Sequence, residues 1–510
     1  MARPNRRLAR PEAPPVAFRI TTLGCKVNQY ESCAIGEALV AEGLTRTQQR
    51  SGEAELVVIN TCCVTATAMA KSRHAIARAV RHSPQAAVLV VGCYSDYDPG
   101  RIFGILASLG VPPQRVLVAG HNDDLSACIR QLPAMLASPG RRVGSPAGGG
   151  QERQQSLGRD GWAASSAAPS CFPGCAATLI RPRRQGEVKD KPPATATLPS
   201  ISCFPGRQRA IVKVQDGCDA FCSYCIVPHL RQRMWSRPAG EVERECRALV
   251  AAGHREIVLC GVHLGAYGRH TAVRRRRGSG RSALAGLVRR VAAIEGLWRV
   301  RLSSLDCLDA DEELLEVCRA TPNVAPHLHL PLQSGSDRIL RRMNRQYAAE
   351  QFLLTVRRVK EAMDRPAITT DVIVGFPGEA DSDFAATLAA ARAAGFAKIH
   401  AFPFSAVNGT AAWAWRGEAP PPGVVKARMA ELAALEEQLA GNYRRQFLGQ
   451  TVEALVESSG NLRPGRQVAR TERYFTVRLE GSRLPPGQVV RVRIDRAEAR
   501  EVAGTVVQWL

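Results

Sequence analysis

Cys218, Cys222 and Cys225 lie within one run of eight residues, at the spacing CxxxCxxC. Four cysteine thiolates saturate a 4Fe-4S cluster, so a set of three leaves one iron open to a small ligand. An open iron can bind and activate a substrate, whereas a saturated cluster serves only to carry electrons. The spacing therefore predicts a cubane cluster with a catalytic role.

Two other uses of these cysteines are open. Structural zinc sites usually combine two CxxC pairs, or one pair with two histidines. No second pair follows at a suitable distance, and His229 would complete a zinc site only by closing it. Disulfides are less favoured, since we find neither an apolar signal region nor an apolar run that could cross a bilayer. We expect the 16 cysteines to be reduced in a cytoplasmic protein.

The composition favours a multidomain protein with a polyanionic partner. A chain of 510 residues with 45% hydrophobic content is long enough for two to four domains with cores of their own. The formal charge of +23 exceeds what solubility requires, and nucleic acid is the leading candidate partner. Part of this charge lies in the run Arg274-Arg275-Arg276-Arg277, and such runs are as often solvated loops.

The N-terminal part of the chain, residues 16–131, is expected to be an α/β domain. Short apolar strands at 18–20, 56–59 and 88–91 alternate with helical patterns such as Glu31 to Glu42, which predicts a largely parallel sheet. Residues 138–202 are rich in Gly, Pro, Ser and Arg, and we interpret them as a low-complexity linker or insertion.

A second α/β domain and a small β-domain are expected beyond the linker. Within residues 204–434, six strands begin near positions 211, 256, 300, 327, 368 and 398, which predicts an open (β/α)6 partial barrel. Chemistry in such barrels gathers at the carboxyl ends of the strands, and Cys218 follows the first strand. A helix over Val424 to Phe447 precedes short alternating strands, so residues 447–510 are expected to form a small β-barrel.

Three more cysteines follow strands of the N-terminal domain, in the segments around Cys25, Cys62 and Cys93. Parallel strands end at the same edge of a sheet, so residues far apart in sequence can converge there. These cysteines could hold a second cluster, although buried free cysteine is also common in cores.

With both cysteine sets in view, the sequence resembles the radical S-adenosylmethionine methylthiotransferases. That resemblance implies two 4Fe-4S clusters and S-adenosyl-L-methionine as cofactors, with catalysis at Cys218, Cys222 and Cys225. It implies that an auxiliary cluster is held by Cys25, Cys62 and Cys93, and that the C-terminal barrel is a TRAM-like RNA-binding module. Cys63 stands where the family usually has threonine, which makes it a rival ligand.

Further segments with family likeness lie at or just after the predicted barrel strands. The resemblance implies that these positions contact the cofactor, although turn chemistry and strand capping explain such residues equally well. The candidate contacts are Tyr224, Gly261, Gly265, Ser304, Gln333 and Asp371.

The segment from Gly24 to Ser32 is most similar to the branch that acts on N6-threonylcarbamoyladenosine in tRNA. Enzymes for isopentenyladenosine tend to have Gln-Met-Asn after the cysteine, and those that modify a ribosomal-protein aspartate have Pro-Lys-Asn. The expected activity is 2-methylthiolation of the threonylcarbamoyl base beside the anticodon. One cofactor molecule would supply the radical that removes the C2 hydrogen, and a second would methylate sulfur held on the auxiliary cluster.

The expected partners are the tRNA anticodon stem-loop and a reducing electron donor, with no membrane and no DNA. Arg231, Arg233 and Arg237, just past the radical-cluster cysteines, would suit an anionic RNA or a carboxylate-bearing base, or would be a solvated loop. Methylthiolation of a ribosomal-protein aspartate, or of isopentenyladenosine in tRNA, is the alternative activity. An RNA-binding module with structural zinc is the alternative from another class.

Overall fold

A computed structural model describes residues 16–47, 54–121, 123–137, 198–277, 280–458, 467–481 and 484–510. Its helices and strands are numbered here in chain order. The N-terminal domain has five strands: β1 (Ala17–Thr22), β2 (Thr45–Arg46), β3 (Leu56–Thr61), β4 (Ala87–Gly92) and β5 (Val116–Ala119). Its helices are α1 (Lys26–Ala41), α2 (Ala66–His82), α3 (Cys93–Tyr97), α4 (Pro99–Ser108) and α5 (Leu125–Ala137).

The N-terminal sheet is parallel throughout and has the order β2-β1-β3-β4-β5. Every residue of β3 and β4 is buried, as expected of strands covered by helices on both faces. The predicted parallel α/β domain is therefore confirmed. The sequence reasoning missed β2 and β5, and it placed the start of α1 five residues too late.

The central domain contains seven strands and most of the remaining helices. The strands are β6 (Arg209–Asp216), β7 (Trp235–Ser236), β8 (Glu256–Gly261), β9 (Arg299–Leu302), β10 (His327–His329), β11 (Ala367–Val374) and β12 (Lys398–Pro403). The helices are α6 (Val227–Leu230), α7 (Ala239–Ala251), α8 (Ala283–Ala292), α9 (Glu312–Ala320), α10 (Asp337–Arg342), α11 (Ala349–Ala362), α12 (Asp381–Ala394), α13 (Ala411–Ala414) and α14 (Pro422–Arg445).

Six of these strands form the predicted open barrel. Strands β6, β8 and β9 pair in parallel, as do β10, β11 and β12. A parallel bridge between Ser304 and His329 joins the two groups. The short β7 adds an antiparallel edge beside β6. All the parallel carboxyl ends therefore open on one side, where the cysteine loop after β6 lies.

The C-terminal domain is a closed barrel of five strands in the order β13-β14-β15-β17-β16. The strands are β13 (Thr451–Val456), β14 (Gln467–Thr471), β15 (Thr476–Glu480), β16 (Val489–Ala497) and β17 (Val502–Trp509). The predicted small β-barrel is confirmed, and its second and fifth strands are additions to the three recognised in the sequence.

The C-terminal barrel packs against the bottom of the central barrel. Arg301, whose side chain is 2% exposed, binds Glu256 at 2.8 Å and reaches the carbonyl oxygen of Glu472 at 3.1 Å. Tyr474 stacks on His327 with ring centroids 4.6 Å apart. A buried ion pair and an aromatic stack thus fix the C-terminal domain to the strands of the central one.

The predicted linker is wrong at its carboxyl end. Ile201 is 1% exposed, and its amide donates to Glu245 at 2.8 Å. Ser202 donates to Glu37 of α1 at 2.8 Å. Residues 198–202 are therefore part of the packed structure, because polar backbone groups there find partners on two domains. Residues 138–197 lie outside the described part of the chain. Among the residues described, no helix is long and apolar enough to cross a bilayer.

Candidate active site

The first cysteine loop lies at the carboxyl end of β6 and is braced by backbone contacts. The amide of Cys218 donates to the carbonyl of Arg231 at 3.1 Å, and the amide of Ser223 donates to the carbonyl of Met343 at 3.0 Å. The amide of Cys225 donates to Cys222 at 2.9 Å. These bonds close the loop on itself and on the segment after α10, so that all three thiols belong to one compact turn.

Two side chains reach the sulfur atoms of this loop. Arg345 lies with Nη1 3.3 Å from Cys222 Sγ, and its Nη2 is held by Asp306 at 2.7 Å. A hydrogen bond to a ligand sulfur is one of the ways in which a protein adjusts the potential of an iron-sulfur cluster. Arg345 is thus a functional candidate that sequence reasoning missed, because it lies about 120 positions from the loop.

His263 is the second such side chain. Its Nδ1 lies 3.9 Å from Cys218 Sγ, and its Nε2 lies 2.9 Å from Asp309. Burial opposes protonation, but the hydrogen bonds to Asp309 and Cys218 raise the pKa of His263 to about 10. The sequence predicts cofactor contacts at Gly261 and Gly265, but it does not predict a role for His263 between them.

The second set of cysteines converges at the edge of the N-terminal sheet. Cys25 precedes α1, Cys62 follows β3, and Cys93 begins α3 after β4. Gly24 has φ +97°, and a Cβ there would lie 2.8 Å from the Cβ of Cys62. Burial raises the pKa of the Cys62 thiol to about 12, and the charges of Cys93 and Cys25 add to the rise. The three thiols are therefore close enough to influence one another.

Amide side chains lock these strand ends together. Asn28 Nδ2 donates to the carbonyl oxygens of Leu23 and Thr61, at 2.9 Å in each case. Asn60 Nδ2 donates to the carbonyl of Asn28 at 3.0 Å, and Ser72 binds both the amide and the carbonyl of Cys62. The cysteine-bearing loops thus have their backbone positions fixed by buried side chains.

Cys63 lies on the other side of the chain from Cys62. It is fully buried in the apolar core beside α2, and its thiol donates a hydrogen bond to Cys93. That bond is the main reason why the pKa of Cys93 falls to about 6, with Arg231 and His121 helping against burial. Cys63 thus packs in the same core as Cys93, whereas Cys62 lies beside Gly24, and the choice of ligand between the two stays a prediction.

The surroundings of both cysteine sets fit iron-sulfur clusters. All six thiols are free, and neither set lies in a disulfide. The lining of the radical loop includes the small residues Ala220, Ala266 and Ala272, and the auxiliary loops begin with Gly24 and Gly92. Among the described residues, no three Cys, His, Asp or Glu side chains are close enough to hold a single metal ion.

Three of the predicted cofactor contacts lie together at the carboxyl ends of the barrel strands. Ser304 pairs with His329, whose Nε2 lies 3.2 Å from Asp371. The amide of Gln333 donates to the carbonyl of Asp371 at 2.8 Å, and Gln333 has φ +63°, a conformation that glycine usually occupies. His329 links Ser304 to Asp371 and was missed in the sequence. Contact between these residues and a cofactor stays a prediction.

The remaining predicted cofactor contacts have packing roles as well. A Cβ on Gly265 would lie 2.1 Å from Asp309, and one on Gly261 would lie 2.9 Å from Gln215, so side chains exclude anything larger than glycine. Tyr224 packs partly against the apolar cluster of Ile339, Met343, Phe376 and Ala412. These three residues are explained by the fold, and their contact with a cofactor is untested.

The expectation for the basic segment after the cysteine loop was wrong. Arg231 and Arg237 are 5% and 7% exposed, and both bind carboxylates at the interface with α1. They are neither a solvated loop nor a surface for RNA. Sequence alone could not show this for Arg231, because Glu31 lies 200 positions away on α1. In the four-arginine run, Arg274 and Arg277 bind Asp309 at 2.9 and 2.5 Å.

Each of the three domains matches a known protein family. Residues 212–391 match the Radical SAM superfamily, residues 17–108 match Uncharacterized protein family UPF0004, and residues 445–507 match the TRAM domain. The fold and the CxxxCxxC loop thus define a radical S-adenosylmethionine enzyme with a TRAM barrel.

Proteins similar in sequence over the whole chain show which family of radical S-adenosylmethionine enzymes this is. The chain is 34% identical to threonylcarbamoyladenosine tRNA methylthiotransferase MtaB of Chlamydia pneumoniae, over 96% of this chain and 98% of that protein. It is also 34% identical to tRNA-2-methylthio-N(6)-dimethylallyladenosine synthase of Anaeromyxobacter dehalogenans, over 97% and 95%. The chain belongs to the radical S-adenosylmethionine methylthiotransferase family, and it is an enzyme that inserts sulfur.

A solved structure of the radical S-adenosylmethionine methyltransferase TsrM from Kitasatospora setae is a more distant neighbour. It has a TM-score of 0.48 and 15% identity, and the match covers 76% of this chain and 72% of that one.

Proposed function

We propose that this enzyme converts N6-threonylcarbamoyladenosine beside the tRNA anticodon to its 2-methylthio derivative. The observation that carries the proposal is Lys26, the residue after Cys25, which brings a cation to the segment of the proposed auxiliary cluster. Lys26 also lines a basic cavity of about 510 Å³ at the meeting of the three domains. The other walls of this cavity come from the start of β6 and from the C-terminal barrel, away from the carboxyl ends of the strands, so we assign it to contacts with the tRNA backbone.

The chemistry of the cavity wall suits the phosphates of a tRNA. Lys26 and Gln29 come from α1, Arg207 and Arg209 come from the start of β6, and Tyr474 comes from the C-terminal barrel. The acidic residue in the lining is Glu457, which binds Arg209 at 3.0 Å and Arg470 at 3.2 Å. Charge-assisted hydrogen bonds from lysine and arginine are the strong ones for a phosphate.

Lys26 supports one of the two tRNA activities, between which the relatives do not distinguish. Proteins named for threonylcarbamoyladenosine and for dimethylallyladenosine are equally similar to this chain. A dimethylallyl group is apolar and gains nothing from a nearby ammonium, whereas a threonyl carboxylate does. The segment from Gly24 to Ser32, with lysine after the cysteine, therefore favours the carboxylate-bearing substrate.

The proposed division of labour assigns one cluster to each cysteine set. Cys218, Cys222 and Cys225 would hold the cluster that binds S-adenosylmethionine, and Cys25, Cys62 and Cys93 would hold the second. When bound, the first supplies an electron that cleaves the cofactor, and the second supplies the sulfur site. Arg345 and His263 would donate to the radical-site thiolates, and Asn28 and Asn60 would keep the auxiliary thiols in place.

RNA binding is proposed for the C-terminal barrel together with the basic surface. Anticodon-loop bases can leave their stack and enter a protein pocket, as this chemistry requires. Phosphate contacts would make the affinity fall steeply with salt concentration. A reducing protein that donates electrons completes the proposed partners. The domain limits 16–131, 204–434 and 447–510 are part of the same proposal.

Mass spectrometry of tRNA nucleosides tests the function directly. A strain that lacks the gene should lose 2-methylthio-N6-threonylcarbamoyladenosine, and the wild-type gene should restore it. Lys26→Gln should lower this product about tenfold or more, since a lost charge-assisted hydrogen bond costs about 1.5–3 kcal/mol. Unchanged 2-methylthio-N6-threonylcarbamoyladenosine in the deletion strain would contradict the proposal.

The same measurement decides between the alternatives. The relatives named for dimethylallyladenosine favour that base as the second candidate. Loss of 2-methylthio-isopentenyladenosine with retention of the threonylcarbamoyl product would establish it. Loss of neither, with loss of methylthioaspartate from a small-subunit ribosomal protein, would establish the third activity.

A further inference from the structure

A buried charge network joins the two cysteine sites, and Arg231 is at its centre. The side chain of Arg231 is 3% exposed. Its Nη1 lies 2.9 Å from Glu31 Oε1 and 2.9 Å from Asp216 Oδ1, and its Nη2 lies 3.0 Å from Glu31 Oε2. Lys213 Nζ, also buried, binds Glu31 at 2.8 Å and contacts Asp216. One guanidinium therefore bridges two carboxylates from different domains.

Each of these partners belongs to a segment that carries a cluster cysteine. Glu31 lies on α1, which begins directly after Cys25, and Asp216 ends β6 just before the Cys218 loop. The carbonyl of Arg231 accepts the amide of Cys218 at 3.1 Å. The same arginine thus holds the radical loop through its backbone and the auxiliary segment through its side chain.

The third auxiliary segment joins the network through a histidine. Asp96 lies on α3, the helix that Cys93 begins, and it binds His121 Nδ1 at 2.5 Å. His121 Nε2 lies 3.8 Å from Glu31 Oε2. Segments bearing Cys25, Cys93 and Cys218 therefore all contribute a carboxylate within three contacts of Arg231.

The guanidinium of Arg231 brings a buried positive charge to the auxiliary segments. It makes two hydrogen bonds to Glu31, which lies six residues after Cys25 in the chain. Through Glu31 and His121 it is also connected to Asp96, three residues after Cys93. A change at Arg231 therefore changes the charge beside the proposed auxiliary cluster.

Stability alone is a weak reason for such a network. Taking several charges out of water costs several kcal/mol for each ion, and well-packed apolar residues often serve a fold equally well. A network that touches three cysteine segments has a use that an apolar interface lacks: it fixes two reactive centres in one geometry and gives one of them a compensating charge.

We propose that Arg231 is a positioning residue that joins the two cluster sites and raises the reduction potential of the auxiliary cluster. This inference rests on the proposed function, since it requires a cluster at Cys25, Cys62 and Cys93. A positive charge nearby stabilises the reduced, more negative cluster. Glu31 acts in the opposite sense, because its carboxylate lies in the same network with negative charge.

The test measures the potential of the auxiliary cluster by EPR-monitored redox titration of the full chain. A Cys222→Ala background removes the radical cluster, so that one cluster contributes the signal. Arg231→Met should lower the equilibrium constant for reduction about tenfold, which is about 59 mV for one electron. Glu31→Gln should shift the potential in the positive direction. General loosening of the interface would not produce shifts of opposite sign.

Arg237→Met is the matched control. Arg237 is buried in the same interface, with Nη1 3.0 Å from the hydroxyl of Tyr30 and a contact to Glu245, so its carboxylate partner lies outside the pair that Arg231 joins. Its loss should leave the equilibrium constant for reduction within a few-fold of the wild-type value. Arg231→Lys should recover most of the wild-type reduction potential. An unshifted potential in Arg231→Met, or an equal shift in Arg237→Met, would overturn the inference.

A second readout tests whether Arg231 positions the two sites, and it uses the protein that retains Cys222. Arg231→Met should still form 5′-deoxyadenosine but should yield several-fold less methylthio product for each cofactor cleaved. If the Cys222→Ala protein binds no iron, the proposed auxiliary cluster fails and with it the proposed function. If it binds about four irons and Arg231→Met changes neither the potential nor the product yield, only the inference fails.

Discussion

The two cysteine sites are built in different ways. Ligand candidates of the radical site come from one turn of eight residues, which is held by side chains that reach its sulfur atoms, such as Arg345. Those of the auxiliary site come from three strand ends, fixed by amide bonds such as Asn28 to Thr61 at 2.9 Å. The thiols of the first site come from one segment, so hydrogen-bond donors from other segments are needed to adjust the charge on its sulfur atoms. The second site forms only when the folded sheet has brought its three segments together.

The exposure of the thiols also differs between the two sites. Cys62 and Cys93 are 4% and 5% exposed in the N-terminal core and Cys25 is exposed, whereas Cys218, Cys222 and Cys225 are all partly buried. The proposed auxiliary site therefore has two buried thiols and one at the surface, which suits sulfur that must be shielded and yet reach a substrate.

The largest expected effect separates the two sites by reaction. Cys222→Ala should abolish reductive cleavage of S-adenosylmethionine, because the open-iron cluster loses a ligand. Cys62→Ala should leave cleavage intact and stop methylthio transfer, and each variant should hold about four irons where the wild type holds about eight. Chromatography of 5′-deoxyadenosine and iron analysis measure both. Equal loss of cleavage in the two variants would refute the division.

The next effect probes the donors around the radical site. Arg345→Met removes the hydrogen bond to Cys222 and should slow cofactor cleavage about 10–100-fold, the usual cost of losing a residue that supports a metal ligand. The potential of that cluster should become more negative, and Arg345→Lys should recover part of the rate. A normal potential with reduced cleavage would instead assign Arg345 to cofactor binding.

The smallest effect concerns the neighbour of the auxiliary site. Cys63→Ala should keep about eight irons and normal product, since Cys63 donates to Cys93 and does not face Cys25. Loss of that hydrogen bond should lower the free energy of unfolding by about 1 kcal/mol, measured by denaturant titration. Iron content is the decisive reading: if Cys63→Ala halves it and Cys62→Ala does not, Cys63 is the ligand.

Sequence reasoning worked where the information is local. The CxxxCxxC spacing, the alternation of strands and helices, and the strand over Thr451–Val456 are all properties of short segments, and the structure has the predicted domains. It placed Cys25, Cys62 and Cys93 at one edge of the sheet, because parallel strands end at a common edge, and their binding of a cluster stays a prediction. It failed for Arg231 and Arg237, because a basic run is typical of an exposed surface and the carboxylates that bind these arginines are known only from the structure.

The sequence by itself determined the class of chemistry, since the types and spacing of six cysteines limit what can be bound. Tertiary structure alone decided which residues support them. Glu31 and Arg231 are 200 positions apart and meet at 2.9 Å, and Arg345 meets Cys222 across 123 positions. Burial keeps such distant residues in contact. An unpaired charge in the interior raises the free energy of the folded state by more than the conformational entropy that is lost when the charge is paired.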